Sequence, residues 1–451
     1  MNTIKIKKGH NIRIAGLPVA KIEVAPAPPT VGVRPIEFKY LKPKLVVKEG
    51  DTVQIGSPLF FDKKNPDVKC ASPAAGEIKS IIYGERRSVL QVVITRSNDE
   101  TAIENEAFKF DELAGLGREK VINQILKANL WPLIRQRPFN KIANQNDIPK
   151  SIFVSGFNTG PLNVDLDLAL EGKETEFQAG LNILRQLTDG KVYLNISNTS
   201  SAKALTEAKG VEITRFSGPH PAGNVGIQIH HLDPINPGEK VWTVNAQHVV
   251  TLGKLFLTGK FDPEIVVSVG GPSVKNPVHY KARIGNSIDS LLIDNIDGDS
   301  NRVIGGDALS GRAAGHQDHI GYYTTTVTVL PVSKDRPFLG WLSIGSKKRI
   351  YSLMRGYNLQ SSSGLFAFNT NQNGSKRHMV PVNAWESVLP MDILPNPLYR
   401  AILAEDIEEM EKLGILECDE EDFALCTFAC PSKIDLGAAV RKGIDLVEKE
   451  G

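Results

Sequence analysis

The run Glu420-Glu-Asp-Phe-Ala-Leu-Cys-Thr-Phe-Ala-Cys-Pro431 contains half of a metal-ligand pattern. Cysteine runs that hold an iron–sulfur cubane read C-x2-C-x2-C-x3-C-P, so that thiolates converge on one cluster. Cys426, Cys430 and Pro431 stand in register with the last two cysteines and the proline of that run. The first two ligand positions fall on Glu420 and Phe423, and Cys418 is out of register. A phenyl ring cannot ligate iron. The spacing therefore predicts a segment of electron-transfer ancestry without a cluster. Three thiolates with Glu417 or Glu420 could in principle hold a zinc ion, but a closed site needs its ligands to converge tetrahedrally. The favoured reading makes Cys426 and Cys430 small buried hydrophobes.

Two further stretches could carry chemistry. In Trp131-Pro-Leu-Ile-Arg-Gln-Arg-Pro-Phe-Asn-Lys141, two arginines beside proline and phenylalanine could hold an anion or a quinone carbonyl. The same residues could form a packed, ion-paired loop, which is the favoured expectation. Ser217-Gly-Pro-His-Pro-Ala-Gly-Asn-Val-Gly226 surrounds His220 with residues that specify a rigid loop, and rigid loops often carry sites. A quinone needs an apolar, aromatic slot with a few polar groups at its carbonyls; Arg135, Arg137, Phe139 and His220 are the candidates for one. His230 and His231, if on a strand, point to opposite faces and cannot share a metal; hydrogen-bonded structural histidines are expected instead. No G-x-G-x-x-G follows a predicted strand, the fragment Ala114-Gly-Leu-Gly117 falls short of it, and no Walker-type loop or hydrolase elbow occurs.

These residues must be positioned by several bodies, since 451 residues suffice for about two to four domains. With 53 basic and 51 acidic residues the net charge is +2, so no global field draws the chain to nucleic acid or anionic lipid. No apolar run reaches the roughly 18 residues of a spanning helix, and the N-terminus lacks the apolar core of a signal peptide. Four cysteines suit a reducing compartment better than a disulfide framework.

Residues 1–104 read as short strands between turn signals. Within them Val47 to Leu59 and Ala71 to Ile78 resemble the barrel-sandwich of biotinyl and lipoyl carrier domains. Asp62-Lys-Lys-Asn65 replaces the Met-Lys-Met of a carrier hairpin, so a structural use of that fold is expected. Residues 105–258 alternate strand and helix, with strands at 151–155 and 192–196, helices at 119–128 and 198–205, and hence a Rossmann-like α/β domain. From 259 to 345 the pattern returns to β, with strands at 264–272 and 323–330. Residues 346–384 form a connecting region, and 385–451 read as a helical domain, with one helix expected over 401–413.

Taken together, these stretches resemble the A subunit of the sodium-translocating NADH:quinone reductases of bacteria. The likeness rests on Arg137-Pro-Phe-Asn-Lys141, Gly218-Pro-His-Pro-Ala-Gly223, His230-His-Leu-Asp-Pro234, Gly270-Gly-Pro-Ser-Val-Lys-Asn-Pro277, Phe338-Leu-Gly-Trp-Leu342, Met379-Val-Pro381, Leu389-Pro-Met-Asp-Ile-Leu-Pro395 and the tail run. More remotely the layout is similar to the C subunit of the Rnf complex and the flavin subunit of respiratory complex I. There a glycine-rich loop cradles flavin, and here Arg135, Arg137 and Pro138 stand where glycines would be needed. The resemblance implies a peripheral subunit on the cytoplasmic side of the bacterial inner membrane, held by five other subunits, especially the membrane-embedded ones. The complex would use NADH, flavins, iron centres and ubiquinone, with no redox cofactor on this chain and no nucleic-acid partner. It also implies a domain order of barrel-sandwich, Rossmann-like, β-grasp ligand-binding-like and helical tail.

Overall fold

The computed structural model describes residues 2–315, 317–334, 338, 351, 353 and 364–451. Most of the Phe338 to Leu342 stretch and the expected boundary near 346 lie outside the described residues.

The central sheet is built on strands whose faces are both buried. Its order is Asn2–Lys5, Glu212–Ser217, Lys191–Ser197, Ser151–Gly156, Val241–Asn245, Arg135–Arg137 and Lys141–Ile142. The first five run parallel, Arg135–Arg137 runs antiparallel to them, and Lys141–Ile142 pairs antiparallel with it. Side chains alternate in a strand, so Ile152 and Val154 enter the main core while Phe153 faces a second cluster with Val225, Ile229 and Val241. The helix Glu174–Arg185 places Phe177, Leu181 and Leu184 on one stripe, with Glu174 and Glu176 in its first turn and Arg185 in its last, as its dipole favours. It packs against Ala246–Thr258 so closely that a Cβ on Gly180 would strike Val249 and one on Gly253 would strike the Glu176 carbonyl. Only glycine allows that approach.

The helix expected at 198–205 shrinks to Lys203–Thr206. Asp167 accepts the Ser201 amide at 2.6 Å and the Ser200 hydroxyl, which holds the preceding residues in a turn. The β-branched run expected to start at 323 is a strand only over Thr326–Pro331. It belongs to a six-stranded mixed sheet ordered Arg312–Ala314, Asn301–Gly305, Thr326–Pro331, Glu264–Gly270, Val278–Arg283 and Ile22–Val24.

A four-stranded and a three-stranded sheet make up the barrel-sandwich. Lys63 and Lys64 turn its Pro58–Asp62 to Asn65–Ala71 hairpin. The expected 1–104 unit is not self-contained in its sheets, because Asn2–Lys5 pairs with Glu212–Ser217 and Ile22–Val24 edges the six-stranded sheet. The tail is helical, but 401–413 is not one helix. Pro395–Ala404 ends at Glu405, in the left-handed region at φ 57°, and Asp406 caps a new helix, Ile407–Lys412. The helix Leu436–Glu450 closes a core with Phe423, Cys426 and Cys430, into which Ile6, Phe216 and Ile227 of the central sheet region also project.

Candidate functional site

The loop after Trp131 is fixed from within. Trp131 packs edge-on against Trp242 at 5.6 Å and donates to the Ala143 carbonyl at 2.7 Å. It is followed by the strand Arg135–Arg137, a cis Arg137–Pro138 bond, and Phe139 and Asn140 at positive φ. This hairpin delivers its two arginines to different surroundings.

Arg137 is 2% exposed and faces three carboxylates of the tail: Asp419 at 3.0 Å, Glu421 at 2.7 Å and Asp422 at 3.8 Å. Burial alone would lower the Arg137 pKa, but these carboxylates outweigh it and hold it above its ordinary value. Burial likewise opposes ionisation of Asp419, yet Arg137, Lys39 and Arg441 pull its pKa well below the usual carboxylate range. Asp422 goes the other way: burial, uncompensated at this distance, pushes its pKa well up. Glu420 pairs with Lys39, and with Arg441 at 3.2 Å. The position that would carry the first cluster cysteine thus joins the tail to the barrel-sandwich unit.

The remaining motif positions do not fit a cluster. Phe423 is fully buried in the tail core. Cys426 points its thiol at the Trp385 carbonyl 3.7 Å away, and Cys430 accepts from the Ile434 amide at 3.5 Å. Burial raises the Cys418 and Cys426 pKa values, opposite to what a thiolate ligand needs. Among the described residues no group of three or more His, Cys, Asp or Glu side chains is arranged to hold a metal. His230 and His231 sit on the helix Val225–Leu232, not a strand. His230 bonds Glu417 at 2.8 Å and accepts from the Asp392 amide, while His231 bonds the Pro390 carbonyl at 3.0 Å, so both pin the tail to the central sheet.

Arg135 instead lines a cavity of about 260 Å³, which also receives His220, Tyr323, Thr243 and Glu421. The cavity lies past the carboxyl ends of Ser151–Gly156 and Val241–Asn245, with Ser155 and Asn245 in its wall. Successive parallel strands leave Ser151–Gly156 in one direction and Val241–Asn245 returns on its other side, so this is where the strand order reverses. Open parallel sheets bind ligands at such points. Arg137 and Phe139 do not line the cavity; Phe139 packs against the tail core. The four quinone candidates are therefore split, two to the cavity and two to the tail.

Comparison with known proteins bears on the whole chain. Residues 4–97 match the NqrA N-terminal barrel-sandwich hybrid domain, 116–261 the NqrA second alpha/beta domain, and 266–315 the NQRA C-terminal domain. The A subunit of the Na(+)-translocating NADH-quinone reductase of Pasteurella multocida is 40% identical over 449 residues, 99% of this chain and 100% of that one. Its counterpart from Saccharophagus degradans is 39% identical over 450 residues, with the same coverage. The chain belongs to this A-subunit family.

Among solved structures, a NAD+-reducing [NiFe]-hydrogenase in the air-oxidized state covers 52% of each chain at 13% identity and a TM-score of 0.35, too low to establish a common fold. Within this family member, sequence reasoning missed Thr243, Tyr323 and the Asn224–Val225 end of a helix as cavity residues. The predicted strand at 151–155 carried the usable signal, because the residues just past a parallel strand are where a ligand site is expected.

Proposed function

We propose that the chain is a structural and docking subunit of a sodium-translocating NADH-quinone reductase, without a redox group of its own. It would cap the membrane-embedded subunits at the cytoplasmic face and support ubiquinone reduction coupled to sodium export. The observation that carries this is the ion-pair junction of Arg137, Arg441 and Lys39 with Asp419, Glu420 and Glu421, in which Glu420 stands at the first cluster-ligand position. The near-full-length likeness to the A subunits of such reductases supports the assembly, and no described helix is long and apolar enough to cross a membrane. On the same reading the second unit is Rossmann-like and the 259–345 unit β-grasp-like.

The test is to remove the chain from a reductase-producing cell and restore it in trans. Loss of sodium-coupled quinone reduction, regained when the protein co-purifies with the membrane subunits, is expected. The purified chain should show no flavin or iron absorbance; stoichiometric chromophore would end this reading. A quinone-binding role is the second reading, favoured by Arg135 and His220 meeting at one cavity. Saturable titration by a short-chain ubiquinone, weakened in Arg135→Gln, is its signature.

A further inference from the structure

The cavity beside Arg135 has a chemistry that docking does not use. Among the described residues Arg135 has no ion-pair or hydrogen-bond partner and only lies over the Tyr323 ring, 4.8 Å from its centre. Two buried groups in the same wall also lack partners: Nε2 of His220, 4% exposed, and Oγ1 of Thr243, 3% exposed. Buried polar groups are nearly always satisfied, so unpaired ones around one cavity point to a missing partner.

All of these groups can donate. The Thr159 hydroxyl accepts the Gly223 amide at 2.9 Å and lies 3.1 Å from His220 Nδ1, to which it can donate its own hydrogen. Burial keeps His220 neutral, with its pKa lowered to about 4 against the pull of Asp307. When Thr159 donates to Nδ1, the neutral ring carries its proton on the unpartnered Nε2 and can donate there.

The helix Val225–Leu232 begins in the same wall. Asn224, its N-cap, does not cap it; that side chain donates instead to the Glu421 carbonyl at 3.1 Å and to Asp422 at 3.3 Å. The Asp422 carboxyl group lies against Gly226 in the first turn, at the positive end of the helix dipole, so this helix end is already taken. The cavity's own carboxylates are likewise engaged. Asp307 accepts from the Leu309 amide at 2.7 Å and the Ser310 hydroxyl at 2.6 Å, and Glu421 is held by Arg137.

We propose that this cavity binds the phosphate group of a small phosphorylated molecule, seated on Arg135, with His220 Nε2 and Thr243 Oγ1 donating to its remaining oxygens. A convergence of donors calls for an acceptor-rich ligand. The volume of about 260 Å³ far exceeds the roughly 10–15 Å³ that one water requires, so an organic group can accompany the phosphate. The polar wall of serine, asparagine and threonine suits such a ligand better than the apolar body of a quinone.

The test is calorimetric titration of the full chain with phenyl phosphate, inorganic phosphate and a short-chain ubiquinone. Saturable one-to-one binding of phenyl phosphate is expected, weakened at least about tenfold by Arg135→Gln, as loss of a charge-assisted hydrogen bond implies. Thr243→Val should weaken it several-fold with the thermal midpoint unchanged, which separates binding from folding. Tighter binding of phenyl phosphate than of inorganic phosphate identifies an organic phosphate as the ligand, and equal binding identifies free phosphate. Failure of both to bind, binding indifferent to Arg135→Gln, or displacement by the ubiquinone would overturn the proposal. Assembly with the membrane subunits is a separate readout, so this idea can fail while the docking role stands.

Discussion

Arg135 and Arg137 stand two residues apart on one strand, the spacing that puts side chains on the same face. Yet one is enclosed by three carboxylates of the tail, while the other faces a cavity over an aromatic ring. The difference comes from what the rest of the chain brings to each. Of the two arginines only the second is ion-paired to the tail run Asp419 to Asp422, and the reversal of strand order leaves a void at the first. A charged residue is structural or ligand-facing according to its neighbours, and in this hairpin both outcomes occur within a single turn of chain.

That contrast can be broken most directly at Arg137. Replacing it with Met leaves Asp419 buried without its main countercharge, and a loss of about 3–5 kcal/mol is expected in urea unfolding. A loss below about 1 kcal/mol would mean that the junction does not hold the tail.

Acid should separate the two regions in order. His220 and His248 have pKa values lowered by burial to about 4 and about 3, from 6.5. The unfolded chain takes up these protons first, so stability is full above pH 6.5 and falls as pH drops from there towards 4. Asp419, held below its ordinary 3.8, gives way only in stronger acid. Glu37 acts oppositely, since burial raises it from 4.5 to about 7 and its contribution is lost as pH rises through that window. Glu37→Gln should therefore steepen the rise of the thermal midpoint between pH 4.5 and 6.5. An unchanged slope would contradict the burial of Glu37.

Smaller effects follow at the edges of the comparison. A Cβ at Gly226 would strike the Asp422 carboxylate, so Gly226→Ala should cost about 1–3 kcal/mol by overpacking the junction. Arg135→Gln, which gives up the contact with Tyr323 and a longer-range attraction to Asp419 but no ion pair, should cost about 1 kcal/mol or less. If it proved as damaging as Arg137→Met, the two arginines would not differ as described.

Much of the fold was legible because it follows periodicity. The strands at 151–155 and 192–196 and the helix at 119–128 lie within a residue or two of their expected places. The misses trace to contacts distant in sequence. Asp167 shortens the helix after Asn198 from more than thirty residues away, and nothing local announces it. Glu405 and Asp406 read as ordinary polar residues of a helix until one adopts a left-handed backbone and the other caps its successor. For the site, the lack of glycines and cysteines was visible as composition. Which arginine the tail would claim depended on three-dimensional pairing that no spacing rule encodes. His220 was singled out for its rigid loop, and Thr243 escaped notice because a threonine in a strand has no distinguishing neighbour.

The strand Asn2–Lys5 finds its partner only at Thr214 to Ser217. During synthesis this strand must therefore wait, unpaired, while the barrel-sandwich behind it is made and most of the second unit emerges. The order of assembly thus departs from the order of translation, since Asn2–Lys5 cannot be locked in place until Glu212–Ser217 has been made. An N-terminal fusion partner that hinders this late insertion should leave the exposed edge of Glu212–Ser217 open to strands of other molecules.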